Sequence, residues 1–221
     1  MNEPIQEPPA EPDAASFRRV FLWTTWMLYG GGFAACLLFA WLVRGRSLSY
    51  LAGTVQSPET WRVGAIQTAL GLAAGLAVVA AGWLSSRLLP WMRTLEREFE
   101  TYLFWVRGWT DILTVAVLSA LAEEAFFRGL LQPWLGLGWA SFLFAACHPP
   151  LNSRLALWPV FAMAMGLLMG WLFEITGENL LAPTATHFLV NLLNLRLITA
   201  RKPSGADTGT EFAKTSPPRS G

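Results

Sequence analysis

The sequence predicts an all-α integral membrane protein of about six transmembrane helices, with its functional core in the last four. Three observations lead there. Of 221 residues, 53% are hydrophobic and only 14% charged, where soluble domains carry roughly 25% charged residues. The apolar residues gather into six segments parted by short polar turns. The chain also holds 12 tryptophans, and indole rings collect at membrane–water interfaces.

The elements follow in order. Residues 1–16 and 199–221 are polar and rich in Pro, Gly and Ser. They bury too little surface to offset ordering entropy and are expected to be disordered tails. The acidic, Pro-rich start is unlike the basic start of a cleaved signal peptide. Over 17–108 the pattern predicts two transmembrane helices, about Val20–Val43 and Val63–Leu84, each long enough for a ~30 Å hydrocarbon core. An interfacial helix follows, because Trp91, Leu95, Phe99 and Tyr102 recur at helical spacing with Arg93, Glu96, Arg97 and Glu100 between them. Over 109–198 four more spans are expected, at about Trp109–Trp134, Gly138–His148, Leu155–Phe173 and Asn179–Ile198. Gly166 and Gly170 form a small-xxx-small pair suited to helix packing.

Charge sets an orientation. If the spans alternate, one side carries twelve Arg and Lys and the other three, Arg44, Arg46 and Arg62. The positive-inside rule then puts both termini in the cytoplasm of a multi-pass, plasma (inner) membrane protein. A net charge of +1 without a basic run gives no nucleic-acid signal. Cys36 and Cys147 lie in apolar segments, where buried packing is the expected role.

Polar groups converge at depth. "LSALAEEAFFRGLLQPW" (118–134) places Glu123, Glu124 and Arg128 among Ala, Leu and Phe. Both histidines of the chain, His148 and His187, also lie in apolar segments, and Asn191 follows His187 by four residues, on the same helix face. At 1.5 Å per residue, Glu123 is ~16 Å from Trp134, His148 ~15 Å from Gly138 and His187 ~12 Å from Asn179. The turns at 135–138 and 174–179 share one side, so all three residues reach the middle of the bilayer. A charge there costs at least ~2.5–3.5 kcal/mol and faces a bundle interior or a wet cavity. Pro149 breaks the helix at His148, and non-helical backbone at that depth needs protein or water beside it.

Geometry divides the acidic pair. Glu124 and Arg128, at i and i+4, can neutralise each other. Glu123 points ~100° away with no partner in its own helix, as ~3.6 residues per turn requires, and has the profile of a general base. A buried structural ion pair is the plainer alternative. A metal on Glu123, His148 and His187 would have to be assembled across separate helices, without an HExxH or Cys cluster. Ser119 and Ser141 suit helix packing better than nucleophilic attack. A Cys147–His148 dyad is disfavoured because consecutive helix residues diverge.

The motifs "EEAFFRG" (EExxxRG), "FAACH" (FxxxH) and "HFLVN" (HxxxN), in this order and with "LLAP" before the last histidine, resemble the CPBP (Abi) family. That family includes the type II CAAX prenyl endopeptidases, which are glutamate-dependent intramembrane proteases. The resemblance covers about residues 109–198. It implies that Glu123 and His148 activate a water, that His187 and Asn191 form an oxyanion hole, and that Glu124 and Arg128 support the site. The connection from Arg128 to Phe144 is short for the family, and residues Trp134 to Trp139 form either a re-entrant corner or a surface loop.

The expected function is therefore hydrolysis of a peptide bond in a membrane-associated protein or peptide, in the lipid bilayer and without a cofactor. Two other classes stand beside it. One is a non-catalytic membrane adaptor or peptide-immunity protein, which has no need of both a base and oxyanion donors. The other is a proton-coupled transporter using the same residues as a relay, for which inverted repeats or paired broken helices are the signature; neither is visible.

Overall fold

The computed structural model describes residues 14–44, 58–103, 106 and 108–200. Among these residues there are helices and turns and no strand. Helix α1 (Ala14–Thr25) widens into a π-helical segment, Trp26–Gly30, and continues as α2 (Gly31–Arg44). Helix α3 is Pro58–Leu88 and α4 is Pro90–Tyr102. Between them Leu89 is extended and Pro90 opens α4, because a proline disfavours helical geometry at the residue before it and suits a first turn. The expected tails, beyond the first residues of α1 and the end of α8, lie outside the described residues.

The second half is one long path with a hairpin in it. Helix α5 (Trp109–Glu124) runs into a second π-helical segment, Ala125–Leu131, and then α6 (Gln132–Ala146). At Gly136 the backbone turns through φ 77°, ψ 168°, a conformation only glycine enters without penalty. This is the turn expected at 135–138. Cys147 ends α6, and a short 3-10 turn, Ser153–Leu155, is held by the Asn152 side chain accepting from the N–H of Arg154 and Leu155. Helix α7 is Trp158–Ile175 and α8 is Leu181–Ala200. Their connection is a Schellman turn, with Glu178 N–H on Phe173 O at 2.8 Å and Gly177 N–H on Glu174 O at 3.1 Å. Asn179 then accepts from Leu181 N–H at 2.8 Å and starts α8.

Three helical stretches, Ser16–Phe39, Trp61–Leu88 and Ser153–Ile175, are by themselves long and apolar enough to cross a membrane. They match the first, second and fifth expected spans. Large apolar side chains point outward, among them Trp23, Trp61, Ile66, Trp134 and Trp139. The interior instead collects small residues, Ala116, Ala120, Ala125, Ala140 and Ala182, and polar ones, Ser119, Glu124, Arg128, Thr186 and His187. That distribution suits lipid, where burial gives helices no reason to associate and close packing and hydrogen bonds do.

Glycines bring the helices together. A side-chain carbon at Gly71 of α3 would overlap the Ala182 backbone of α8, and one at Gly75 would lie 3.1 Å from the Thr186 carbonyl oxygen. The Thr186 hydroxyl donates to Gly71 O at 2.9 Å across the same seam. Gly166 of α7 lies against Ser141 of α6, with 3.1 Å from a built side-chain carbon to the Ser141 Cα. The amphipathic helix α4 buries Met92 and Leu95. Its Phe99 packs edge-on against Trp158 at 4.8 Å.

The cysteines depart from expectation. Cys36 is half-buried and Cys147 exposed. On a helix apolar all round, hydropathy does not distinguish the face turned to lipid from the face turned to protein.

Candidate active site

Three helices position the polar residues. The Gly136 hairpin folds the rest of α6 back along the π-helical extension of α5. Glu123 lies thirteen residues before that glycine and His148 twelve after it, about 20 and 18 Å of helix rise, so they meet at one level. The α7–α8 turn returns His187 to the same level on α8.

Glu124 is the node. It is fully buried, and its Oε1 accepts from Arg128 Nη1 at 3.1 Å and from His187 Nδ1 at 2.7 Å. Arg128 donates its other arm to Gly166 O at 3.1 Å. Its guanidinium lies 4.6 Å from the centre of the Phe144 ring, an arrangement that stabilises a desolvated cation. Phe144 also packs against His148 at 4.5 Å and His187 at 6.1 Å between ring centres. One aromatic ring therefore carries both histidines and the arginine.

The tautomers follow from the partners. His148 Nδ1 lies 2.7 Å from the carbonyl oxygen of Phe144. A carbonyl only accepts, so Nδ1 carries the proton and Nε2 is turned to the site. His187 Nδ1 donates to Glu124, which likewise frees its Nε2. Glu123 Oε2 stands 3.7 Å from His148 Nε2 and 3.9 Å from His187 Nε2. Among the described residues that oxygen, although buried, has no hydrogen-bond partner. Two imidazole nitrogens and one carboxylate oxygen thus converge without closing on each other.

Asn191 lies one turn beyond His187. Its Nδ2 donates to Ser119 Oγ at 2.9 Å, and Ser119 donates in turn to Val115 O at 2.7 Å. Ser119 therefore orients the amide rather than only packing helices. The one signal for it in the sequence is its place a turn before Glu123. A second residue that sequence reasoning passed over comes from outside this core. Tyr29, in the π-helical segment after α1, comes within electrostatic reach of Glu123. Among the described residues no group of three His, Cys, Asp or Glu side chains is arranged to hold a metal ion.

The polar residues of this site, Tyr29 apart, fall in a stretch with known relatives. Residues 105–193 match the family model of the type II CAAX prenyl endopeptidases, Rce1-like. An uncharacterized protein of Bacillus subtilis (strain 168), YpbD, is 40% identical over 91 residues, which make up 40% of this chain and 46% of that protein. The match thus spans about half of the relative's length. No solved structure matches the chain. Residues 105–193, which hold both glutamates, both histidines, Arg128 and Asn191, are thus the part of the chain that is similar to the Rce1-like type II CAAX prenyl endopeptidases.

Proposed function

We propose that the chain is an intramembrane endopeptidase that hydrolyses a peptide bond of a membrane-associated protein or peptide. The observation that carries this reading is the approach of Glu123 Oε2 to His148 Nε2 and His187 Nε2 at 3.7 and 3.9 Å. A water at that convergence donates to two acceptors, the Glu123 carboxylate and His148 Nε2. Glu123 takes its proton as the water oxygen attacks the scissile carbonyl. The developing oxyanion is met by His187 as the imidazolium, whose Nδ1–H stays on Glu124 while its Nε2–H turns to the oxyanion, and by the Asn191 amide N–H that Ser119 does not use. Glu123 returns the proton to the leaving amine, so the carboxylate is regenerated and one water is consumed. Glu124, Arg128 and Phe144 keep both rings in place and neutralise charge near the base. No cofactor is required by this chemistry.

The test compares the purified protein with Glu123→Ala and His148→Ala on a pool of membrane peptides, reading new termini by mass spectrometry. Cleavage by the wild type alone is expected. Identical product profiles in all three samples would overturn the reading. A parallel sample with chelator is expected to cleave at the wild-type rate; loss of cleavage there would instead assign a metal to Glu123, His148 and His187.

A further inference from the structure

The site has a contributor from the first helical rod, outside the 105–193 match. Two contacts link that rod to α5. Arg18 of α1 makes a two-armed ion pair with the fully buried Asp111, its Nε lying 2.8 Å from Oδ2. Further along, the π-helical segment that carries Tyr29 packs against α5, and the Glu123 charge acts on its phenol. From Arg18 to Tyr29 is eleven residues and from Asp111 to Glu123 twelve, about 17 and 18 Å of rise. The two helices therefore run parallel and in register, with Tyr29 at the level of Glu123. The π-helical segment Trp26–Gly30 packs against α5, and α2 packs against the second π-helical segment, Ala125–Leu131. A π-helical turn changes the facing of the side chains after it and is frequent at functional sites. Here one such turn carries Tyr29 and the other follows Glu124 directly.

Glu123 has no partner in its own helix, and its Oε2 is left to the two histidines. A carboxylate so placed can rotate about its side-chain bonds, and a general base has to hold one orientation. We propose that Tyr29 is the positioning residue for Glu123, its phenolic O–H donating to the carboxylate and fixing the rotamer that aims Oε2 at His148 and His187. The first rod is then a working wall of the site and not only a membrane anchor. This inference rests on the hydrolytic reading for its effect on turnover, while the hydrogen bond itself can be tested without it.

The variant is Tyr29→Phe, which keeps the ring and removes the donor. Two readouts are taken in detergent. On the peptide substrate, kcat is expected to fall roughly ten- to hundredfold, the range for a hydrogen bond to a charged group, with KM and the thermal midpoint unchanged. A role in packing alone would leave kcat intact in a folded variant. The second readout is the rate at which dicyclohexylcarbodiimide, an apolar carboxyl reagent, modifies Glu123, followed by peptide mass spectrometry. Released from the hydroxyl, Glu123 is expected to label faster. Unchanged kcat together with unchanged labelling overturns the proposal. A wild type without Glu123-dependent hydrolysis, but with faster labelling in Tyr29→Phe, upholds the pairing and refutes the hydrolase reading instead. If Tyr29→Phe does not fold, Arg18→Gln loosens the same rod from its far end. A partial shift in both readouts is expected there, and none overturns the proposal.

Discussion

Asn191 on α8 donates to Ser119 on α5 across 2.9 Å, so the amide expected to meet the oxyanion is held by the same helix that presents Glu123. Asn191 and Glu123 are thus tied through one turn of α5, from Ser119 to Glu123. On the hydrolytic reading, Asn191→Ala removes an oxyanion donor and should cut kcat by two to three orders of magnitude, about 2.7–4 kcal/mol of barrier.

Ser119→Ala leaves Asn191 present but unheld. One neutral hydrogen bond is worth about 0.5–1.5 kcal/mol, so kcat should fall roughly threefold to tenfold. Because Ser119 acts through Asn191, adding Ser119→Ala to Asn191→Ala should change little further. Additive losses in that cycle would show that the serine acts elsewhere.

Glu124 and Glu123 should separate in their effects on stability. Glu124→Ala removes the shared acceptor of Arg128 and His187 and leaves Arg128, 1% exposed, without its counter-charge. Breaking a buried pair in this way costs about 3–5 kcal/mol. Glu123→Gln abandons no such partner and should unfold like the wild type while losing turnover. Helix content followed through a detergent unfolding titration checks both, and equal midpoints for the two variants would contradict the division of roles.

That division was legible in the sequence because it depends only on spacing within one helix. Glu124 and Arg128 are i, i+4, and Glu123 points elsewhere. The common depth of Glu123, His148 and His187 was also legible, since two turns fix where the chain re-enters. Helix rotation was not. Lipid and interior are both apolar here, so no hydrophobic stripe says which face of α1 or α6 turns inward. The contacts of Tyr29 and Ser119 are hidden for that reason, and Cys147, apolar by its surroundings in the sequence, lies exposed. The join of His187 to Glu124 was missed similarly, because it depends on how α8 is turned against α5. Glycine spacing marks Gly166 and Gly170 for helix packing but does not say that Gly166 meets Ser141 of α6. The closer approach, Gly71 on Ala182, lies in a helix whose many small residues hide it.

Gly71→Leu should therefore disturb the protein where Gly82→Leu does not. At Gly71 the added side chain meets the Ala182 backbone, while at Gly82 nothing lies within 4 Å. Separating α3 from α8 would also stretch the Thr186–Gly71 hydrogen bond and shift the helix that carries His187. Overpacking of this kind costs about 1–3 kcal/mol, occasionally more. A lower unfolding midpoint for Gly71→Leu, and an unchanged one for Gly82→Leu, is the expected result.

The loop after His148 is held to α4 by a contact that depends on pH. Glu98 of α4 accepts from Arg154 Nη1 at 2.6 Å and from Asn152 Nδ2 at 3.0 Å, binding the amphipathic helix to the turn that ends the "HPP" segment. The Arg154 hydrogen bond first, then that of Asn152, holds the Glu98 carboxyl below its ordinary value of 4.5. A group whose folded value is depressed binds fewer protons folded than unfolded. Its contribution is therefore complete above about pH 4.5 and is lost as pH falls through the lower folded value. Acidification from pH 6 to 3 should then loosen residues 149–157 from α4, with faster amide hydrogen exchange there once intrinsic rates are corrected for pH. In Glu98→Gln the carboxylate is gone at every pH, so that segment should exchange faster already at pH 6 and show no further step on acidification. A wild-type step that survives in Glu98→Gln would assign the transition to another group.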